Sequence, residues 1–314
     1  TPDGEGTFSG WERKRGAILQ FLQATRGIGT DVFSVLMGDL ADAAYFCALD
    51  GDTVPAPDSV RKLVGVLLHP LSRPVRNAEG TAVVSGFGIA APRMDVELSS
   101  ASANLFTQLI SGSGGAEVYG NASFSLQQDL FGEGIFAGKG VLDVELFLDL
   151  MPDLFPDRAV LSHDVLEGGF LRCAYVSDAA FFDGVPSGIL PYVRRLHRWI
   201  RGDVQNVPEL ASYIRTRNGK MRNPLSVRSR LRILDNLRRA LTLPAVFLLL
   251  FAGLFFGTVP FVLALAVLYT PALIYAVSQA GAPASASAHF AKPFAPAMQT
   301  FLRCTLDLLY LPYL

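Results

Sequence analysis

Ala43-Ala44-Tyr45-Phe46-Cys47-Ala48-Leu49-Asp50-Gly51-Asp52 is a short apolar run that stops at two carboxylates two positions apart. A run of this length, bounded by turn residues, predicts a buried strand ending in an acidic loop. Residues i and i+2 at a strand end point the same way, so Asp50 and Asp52 can face one ion. Hard cations such as magnesium or manganese take one or two carboxylates together with phosphate oxygens. A solvated Asp-Gly turn is the plainer alternative.

Upstream, Trp11 to Gln23 carries Ile18, Leu19 and Leu22 among polar residues and predicts a helix with the basic start Arg13-Lys14-Arg15, after a Gly- and Ser-rich loop over residues 1–10. Downstream, Pro55 and Pro57 break the chain before a helix near Asp58 to Leu68. Residues 80–98 predict one or two strands, with Pro92-Arg93 as punctuation, followed by a helix near 101–110 and a loop over 111–115. Gln127 to Gly140 predicts a glycine-rich loop whose backbone approaches something closely. Within it Gly132, Glu133 and Gly134 are candidates for contact with an acceptor, and an ordinary loop is the alternative. The order of elements points to a mixed α/β domain over residues 1–212.

The remainder has a different composition. The chain is 50% hydrophobic, and the excess is concentrated after residue 240: Ala240 to Ala291 contains no Asp, Glu, Lys or Arg. Leu241 to Phe256 and Val259 to Val277 form two apolar stretches separated by Gly257-Thr258, which predicts a transmembrane hairpin over 241–278. Arg217, Lys220, Arg222, Arg228, Arg230, Arg232 and Arg238 precede it, opposed only by Asp235, so residues 213–240 predict a basic amphipathic interfacial segment. The positive-inside rule then puts the α/β domain in the cytosol. Residues 279–314 predict a small-residue linker over 281–288 and a second interfacial helix. The net charge of −1 disfavours nucleic acid as a partner. Cys47, Cys173 and Cys304 lack metal-ligand spacing and fit free thiols in a reducing compartment.

Two further segments carry chemistry. Asp164 follows the apolar Ala159-Val160-Leu161, which suggests a second strand-end carboxylate able to take a proton from an attacking hydroxyl. His163 is a second candidate base or a candidate acceptor contact, or else a hydrogen-bonding histidine. Arg194, Arg195, His197, Arg198 and Arg201 surround Trp199 and offer donors for diphosphate oxygens beside an indole face for a sugar ring. A basic helix face near a membrane is the alternative. Asp178 and Asp183 fit helix caps better than acceptor contacts.

"LDGDT" at 49–53, "QDLFGEGIFAGKGVLDVELF" at 128–147, "LSHDVLEGG" at 161–169, "RRLHRWIRGD" at 194–203 and "NPLS…DNLRR" from 223 to 239 together resemble the glycosyltransferase domain of cyclic β-1,2-glucan synthases, glycosyltransferase family 84. More distantly they are similar to cellulose synthases and other processive family 2 enzymes. The resemblance implies a GT-A type Rossmann-like fold, UDP-glucose as donor, a glucan acceptor, inversion to a β linkage, magnesium or manganese, and a bacterial inner membrane. It also implies roles by position: Asp50 and Asp52 for metal and diphosphate, Asp164 as catalytic base, and Arg195, Arg198 and Trp199 for diphosphate and acceptor. Lys14 and Arg15 resemble the basic nucleotide-side segment, while Arg195 replaces the glutamine of the cellulose synthase pattern.

The uracil-binding strands of that family have no counterpart before residue 50, and its phosphorylase-like region is absent. The chain therefore reads as an internal fragment that works with the remaining domains of a full-length synthase. The alternatives are a processive synthase of a β-1,4 or β-1,3 glucan and a non-catalytic, membrane-anchored sugar-nucleotide or glucan-binding fragment.

Overall fold

The computed structural model describes residues 13–29, 33, 38, 40–111, 125–157, 159–160, 162–280 and 294–310. The loops expected at 1–10 and 281–288, and all but Ser111 of the one at 111–115, lie outside these residues, as do Trp11 and Leu161. In chain order the elements begin with α1 (Arg13–Thr25), β1 (Tyr45–Ala48), β2 (Val54–Pro55), α2 (Ser59–Leu68), β3 (Val75–Arg76), β4 (Val83–Ser85) and β5 (Ile89–Val96). They continue with α3 (Leu98–Ala101), α4 (Leu105–Ser111), α5 (Leu126–Phe131), β6 (Gly140–Asp143), α6 (Val144–Leu150), α7 (Asp164–Leu171) and β7 (Cys173–Asp183). Last come α8 (Ile189–Gln205), β8 (Tyr213–Thr216), β9 (Gly219–Arg222), α9 (Val227–Phe256), α10 (Thr258–Ala280) and α11 (Phe294–Tyr310).

Two compact units divide these elements. The first takes in Thr1–Asp95, Glu117–Phe182 and Arg201–Leu234, the second Val96–Ala116, Asp183–Ile200 and Asp235–Leu314. The first is mixed α/β, built on a five-stranded sheet in the order β1-β6-β5-β7-β2. The pairs β1/β6, β5/β6 and β2/β7 are antiparallel. Successive side chains on a strand point to opposite faces, and the core divides accordingly. Ile89, Ala91 and Leu142 join Leu19 and Leu22 of α1, Phe147 of α6 and Phe170 of α7 in one cluster. Ala90, Met94 and Val141 join Leu63 and Leu67 of α2 in another. Helices therefore cover both faces of the sheet.

Three local expectations are corrected in this unit. Pro92-Arg93 does not interrupt the chain but lies inside β5: the ladder to β6 pairs Ile89 with Leu142 and Ala90 with Val141, so the missing N–H of Pro92 falls beyond it. The Gln127–Gly140 run is not all loop, because Leu126–Phe131 is a helix capped by the Ser125 hydroxyl and ended by Gly132 in the left-handed conformation (φ 69°). Asp178 lies within β7, 3.2 Å from Lys62, and Asp183 is its buried last residue, so both carboxylates belong to the strand rather than to helix ends.

The second unit is helical. Val246 of α9, Ala264 and Leu268 of α10 and Cys304 of α11 form its core, and the Tyr269 hydroxyl lies 3.0 Å from that of Thr305. The basic segment expected over 213–240 divides in two: a β8/β9 hairpin, then a helix that runs unbroken from Val227 through residue 240 to Phe256. Asn223 fixes the junction. Its amide donates to the carbonyls of Glu209 (2.7 Å) and Ala211 (2.8 Å), and its oxygen accepts from the Leu225 N–H (2.9 Å). Pro224 disfavours helix at the preceding residue, so α9 starts only after it. Among the described residues α9 alone is long and apolar enough to cross a membrane by length and composition, and the apolar part of α10, Thr258–Ile274, is shorter.

Candidate active site

The register of β1 on β6 builds the centre of the site. Ala48 pairs with Gly140, so Asp50, just beyond β1, and Lys139, just before β6, come side by side. Lys139 Nζ lies 3.0 Å from Asp50 Oδ2. On the other oxygen, Lys14 from the first turn of α1 places its Nζ 2.5 Å from Asp50 Oδ1, and the same ammonium donates to the Gly138 carbonyl at 2.7 Å. Burial pushes the Asp50 carboxyl up, but the two lysines outweigh it and hold the carboxyl below its ordinary value. Asp52 is exposed on the same turn.

Gly138 connects this cluster to the second carboxylate. It has φ +78°, and a Cβ on it would lie 2.8 Å from Asp164 Oδ2 and 2.9 Å from Oδ1. Only a glycine can pass there, on conformational and steric grounds alike. Asp164 is not at a strand end, as its apolar approach suggested, but is the first residue of α7, where the helix dipole favours negative charge. The approach to it is pinned by the buried Asn206, whose amide donates to the Ser162 carbonyl at 3.1 Å. About a third of the Asp164 side chain is accessible, at 34%. Burial nonetheless raises its carboxyl above the ordinary value; Glu167 adds to the rise, while His163, Lys14 and Lys139 oppose it.

His163 is buried rather than open to an acceptor. Its Nδ1 lies 2.8 Å from Glu167 Oε1 and 3.6 Å from Asp164 Oδ1. Burial disfavours the imidazolium, but Glu167 and Asp164 outweigh it and raise the histidine above its ordinary value. The three side chains offer ligand atoms within 4.8 Å of one another, an approach that an ion pair between His163 and Glu167 accounts for. Arg15, adjacent to Lys14, is only 1% exposed, and its guanidinium stacks over Phe155 at 5.2 Å. It packs inside the unit, not on a ligand surface.

The first unit thus gathers Lys14, Asp50, His163 and Asp164, all expected from the sequence, and adds Gly138, Lys139 and Glu167, which were not singled out. Lys139 was legible as the one cation of the glycine-rich loop, flanked by Gly138 and Gly140. Glu167 was legible as the helical i+4 partner of His163, but only once residues 164–171 are read as helix. The near end of the loop is occupied differently. Glu133 is a buried carboxylate held between Arg172 (3.5 Å) and Arg232 (3.4 Å), the Gly132 carbonyl accepts from Arg172 (3.1 Å), and the Gly134 N–H donates to the Cys173 carbonyl (2.7 Å). These contacts tie the loop to β7 and α9 instead of leaving it open to an acceptor.

Arg195, Arg198 and Trp199 belong to the second unit. There the Arg195 guanidinium lies over the Trp199 ring at 5.1 Å, the indole is 49% exposed, and Arg198 is exposed. Cation–π stacking presents the indole as a fixed platform.

No protein-family model matches the chain. The chain is similar to the cyclic beta-(1,2)-glucan synthase NdvB of Rhizobium meliloti (strain 1021), with 36% identity over 241 residues, which is 76% of this chain and 8% of that protein. It therefore spans less than a tenth of its relative's length. This similarity bears out the resemblance carried by the motifs, and it makes the chain a relative of the cyclic β-1,2-glucan synthases.

Proposed function

We propose that the chain is the sugar-transferring part of a membrane-bound glucan synthase, an inverting GT-A type glucosyltransferase that moves glucose from UDP-glucose to the 2-hydroxyl of a growing β-1,2-glucan. The observation that carries this reading is the meeting of Lys14, Asp50, Lys139 and Asp164 around Gly138, in a chain related to such a synthase. A carboxylate held ionised by cations suits the donor diphosphate side. A carboxylate raised by burial, and so a stronger base, suits proton abstraction.

In this mechanism Asp164 takes the acceptor hydroxyl proton as that oxygen bonds to the anomeric carbon from the face opposite the leaving group. The bond from that carbon to the diphosphate oxygen breaks, and its electron pair leaves with UDP. The proton on Asp164 then returns to solvent. Lys14 holds donor oxygens, while the resemblance gives Arg195 and Arg198 to the diphosphate and Trp199 to the acceptor glucan. A divalent cation, magnesium or manganese, would be held by the oxygen donors of Asp50 and Asp52, two positions apart on one turn, in place of the Lys14 and Lys139 ammoniums that sit on Asp50. Bound there, it neutralises charge developing on the leaving diphosphate.

We further propose that the apolar part of α9 and α10 lie in a bacterial inner membrane, with the α/β unit in the cytosol. Supporting this, Leu248, Phe251, Leu254 and Phe256 are exposed, and arginines precede them on the same helix. The test is magnesium-dependent glucose transfer from UDP-glucose by membranes carrying the full-length parent, as wild type and as Asp164→Asn, with linkage analysis. Loss of a β-1,2 product in the variant at equal protein level is expected. Equal incorporation by both would remove Asp164 as the base, and another linkage would reject the β-1,2 assignment.

A further inference from the structure

Both oxygens of Asp50 are taken by ammonium groups from distant parts of the sequence, Lys14 at 2.5 Å and Lys139 at 3.0 Å. The two lysines are placed differently: Lys139 is 9% exposed and emerges between Gly138 and Gly140, whereas Lys14 is 30% exposed and also holds the Gly138 carbonyl. A carboxylate that is to bind a metal cannot keep two ammoniums on the same lone pairs. Two ammonium groups and one divalent cation carry equal charge, so exchanging one for the other leaves the field at Asp50 and Asp164 nearly unchanged. The released ammoniums would sit on long flexible stems beside the incoming ion, where donor phosphate oxygens would lie.

We infer that Lys139 is a donor-binding residue and that, with Lys14, it serves as an exchangeable counter-ion. In the donor-free protein the two lysines occupy Asp50 in place of the metal; when metal and nucleotide arrive together, they transfer to the diphosphate. The pair therefore works against metal alone and in favour of nucleotide, which couples metal binding to donor binding. This inference rests on reading Asp50 as the donor metal site, and the experiment separates the two.

The experiment uses the purified full chain in detergent, with two readouts: manganese binding without nucleotide, from the electron paramagnetic resonance of the free ion, and UDP binding at saturating manganese. Removing one charge-assisted contact in Lys139→Met is expected to tighten manganese binding about tenfold and to weaken UDP binding about tenfold. Lys14→Met moves both in the same directions, and Lys139→Arg stays near wild type on manganese because the positive charge remains. Should Lys139→Met fail to fold, as judged by its melting transition, Lys139→Gln and Lys14→Met carry the same test. Manganese binding unchanged or weakened by loss of the lysine charge, with Asp50→Asn still impaired, would overturn the exchange and leave the donor-site reading intact. Wild-type binding of both ligands by Asp50→Asn would overturn the donor-site reading and the inference with it.

Discussion

Asp50 and Asp164 are the same residue type in one unit, connected through Lys14 and Gly138, yet their surroundings drive them in opposite directions. Asp50 lies just beyond β1 between two ammoniums and is held below its ordinary value despite its burial. Asp164 opens a helix behind a glycine, and burial dominates the lysines and histidine near it, so its carboxyl rises. Proteins assign acid–base roles by pushing neighbouring titratable groups apart in this way. The contrast teaches that the balance between burial and cationic partners decides which carboxylate stays a permanent anion and which can exchange a proton.

The largest expected effect separates these roles. Asp164→Asn should lower transfer by about a hundred- to ten-thousand-fold, the usual contribution of a positioned base, while UDP affinity stays at its wild-type value. Asp50→Asn should lower UDP affinity itself. Turnover and nucleotide titration on both variants check this, and an equal loss of UDP affinity in the two would erase the distinction.

Glu133 extends the comparison to a carboxylate that also has two cationic neighbours but is only 5% exposed. Arg172 and Arg232 flank its side chain, and Arg232 also donates to its carbonyl at 3.0 Å. Removing one member of a buried ionic group leaves uncompensated charge, at a cost of about 3–5 kcal/mol. Glu133→Ala should therefore destabilise the fold by about that amount, measured by denaturant unfolding. A loss of transfer activity at unchanged stability would instead return Glu133 to the acceptor.

What was legible in the sequence follows from how local each signal is. The turn at Asp50, the helix over 59–68, the basic start of α1 and the break at Gly257 depend on residues within a few positions of each other, and the structure has them there. The helical character of 164–171 was hidden because Ala159-Val160-Leu161 reads as a strand by composition, whereas α7 follows directly. Lys139 escaped because its importance lies in the β1/β6 register, which puts Ala48 opposite Gly140 across a long stretch of chain. Glu133 drew attention as a charge among glycines, but its arginine partners lie 39 and 99 positions downstream (172 − 133 and 232 − 133).

Glu209 tests burial without a cation. It is 5% exposed, and burial alone pushes its carboxyl up from 4.5 to about 7. A folded-state value above the unfolded one means that the folded protein binds the proton more tightly. The stabilisation is complete below about pH 4.5 and is lost as pH rises through about 7. At about 1.4 kcal/mol per unit, the loss has a ceiling of about 3 kcal/mol. Glu209→Gln cannot ionise, so its stability should exceed that of wild type at pH 8 and approach it at pH 4.5 in parallel unfolding curves. Identical pH dependence in the two proteins would show that the Glu209 carboxyl titrates alike in the folded and unfolded protein, so that burial does not raise it.

The smallest effect probes the link between the two site carboxylates. Lys14 and Lys139 draw the Asp164 carboxyl down against the larger influence of burial. Lys139→Met removes one of these charges, so Asp164 should hold its proton to higher pH, by less than about one unit. Because kcat/KM reports ionisations of the free protein, its acidic limb should move to higher pH in the variant. Restoring the charge as Lys139→Arg should move the limb back. A limb that stays in place in Lys139→Met would mean that the lysine acts on Asp50 alone, and that the two carboxylates titrate independently in spite of the glycine and lysine between them.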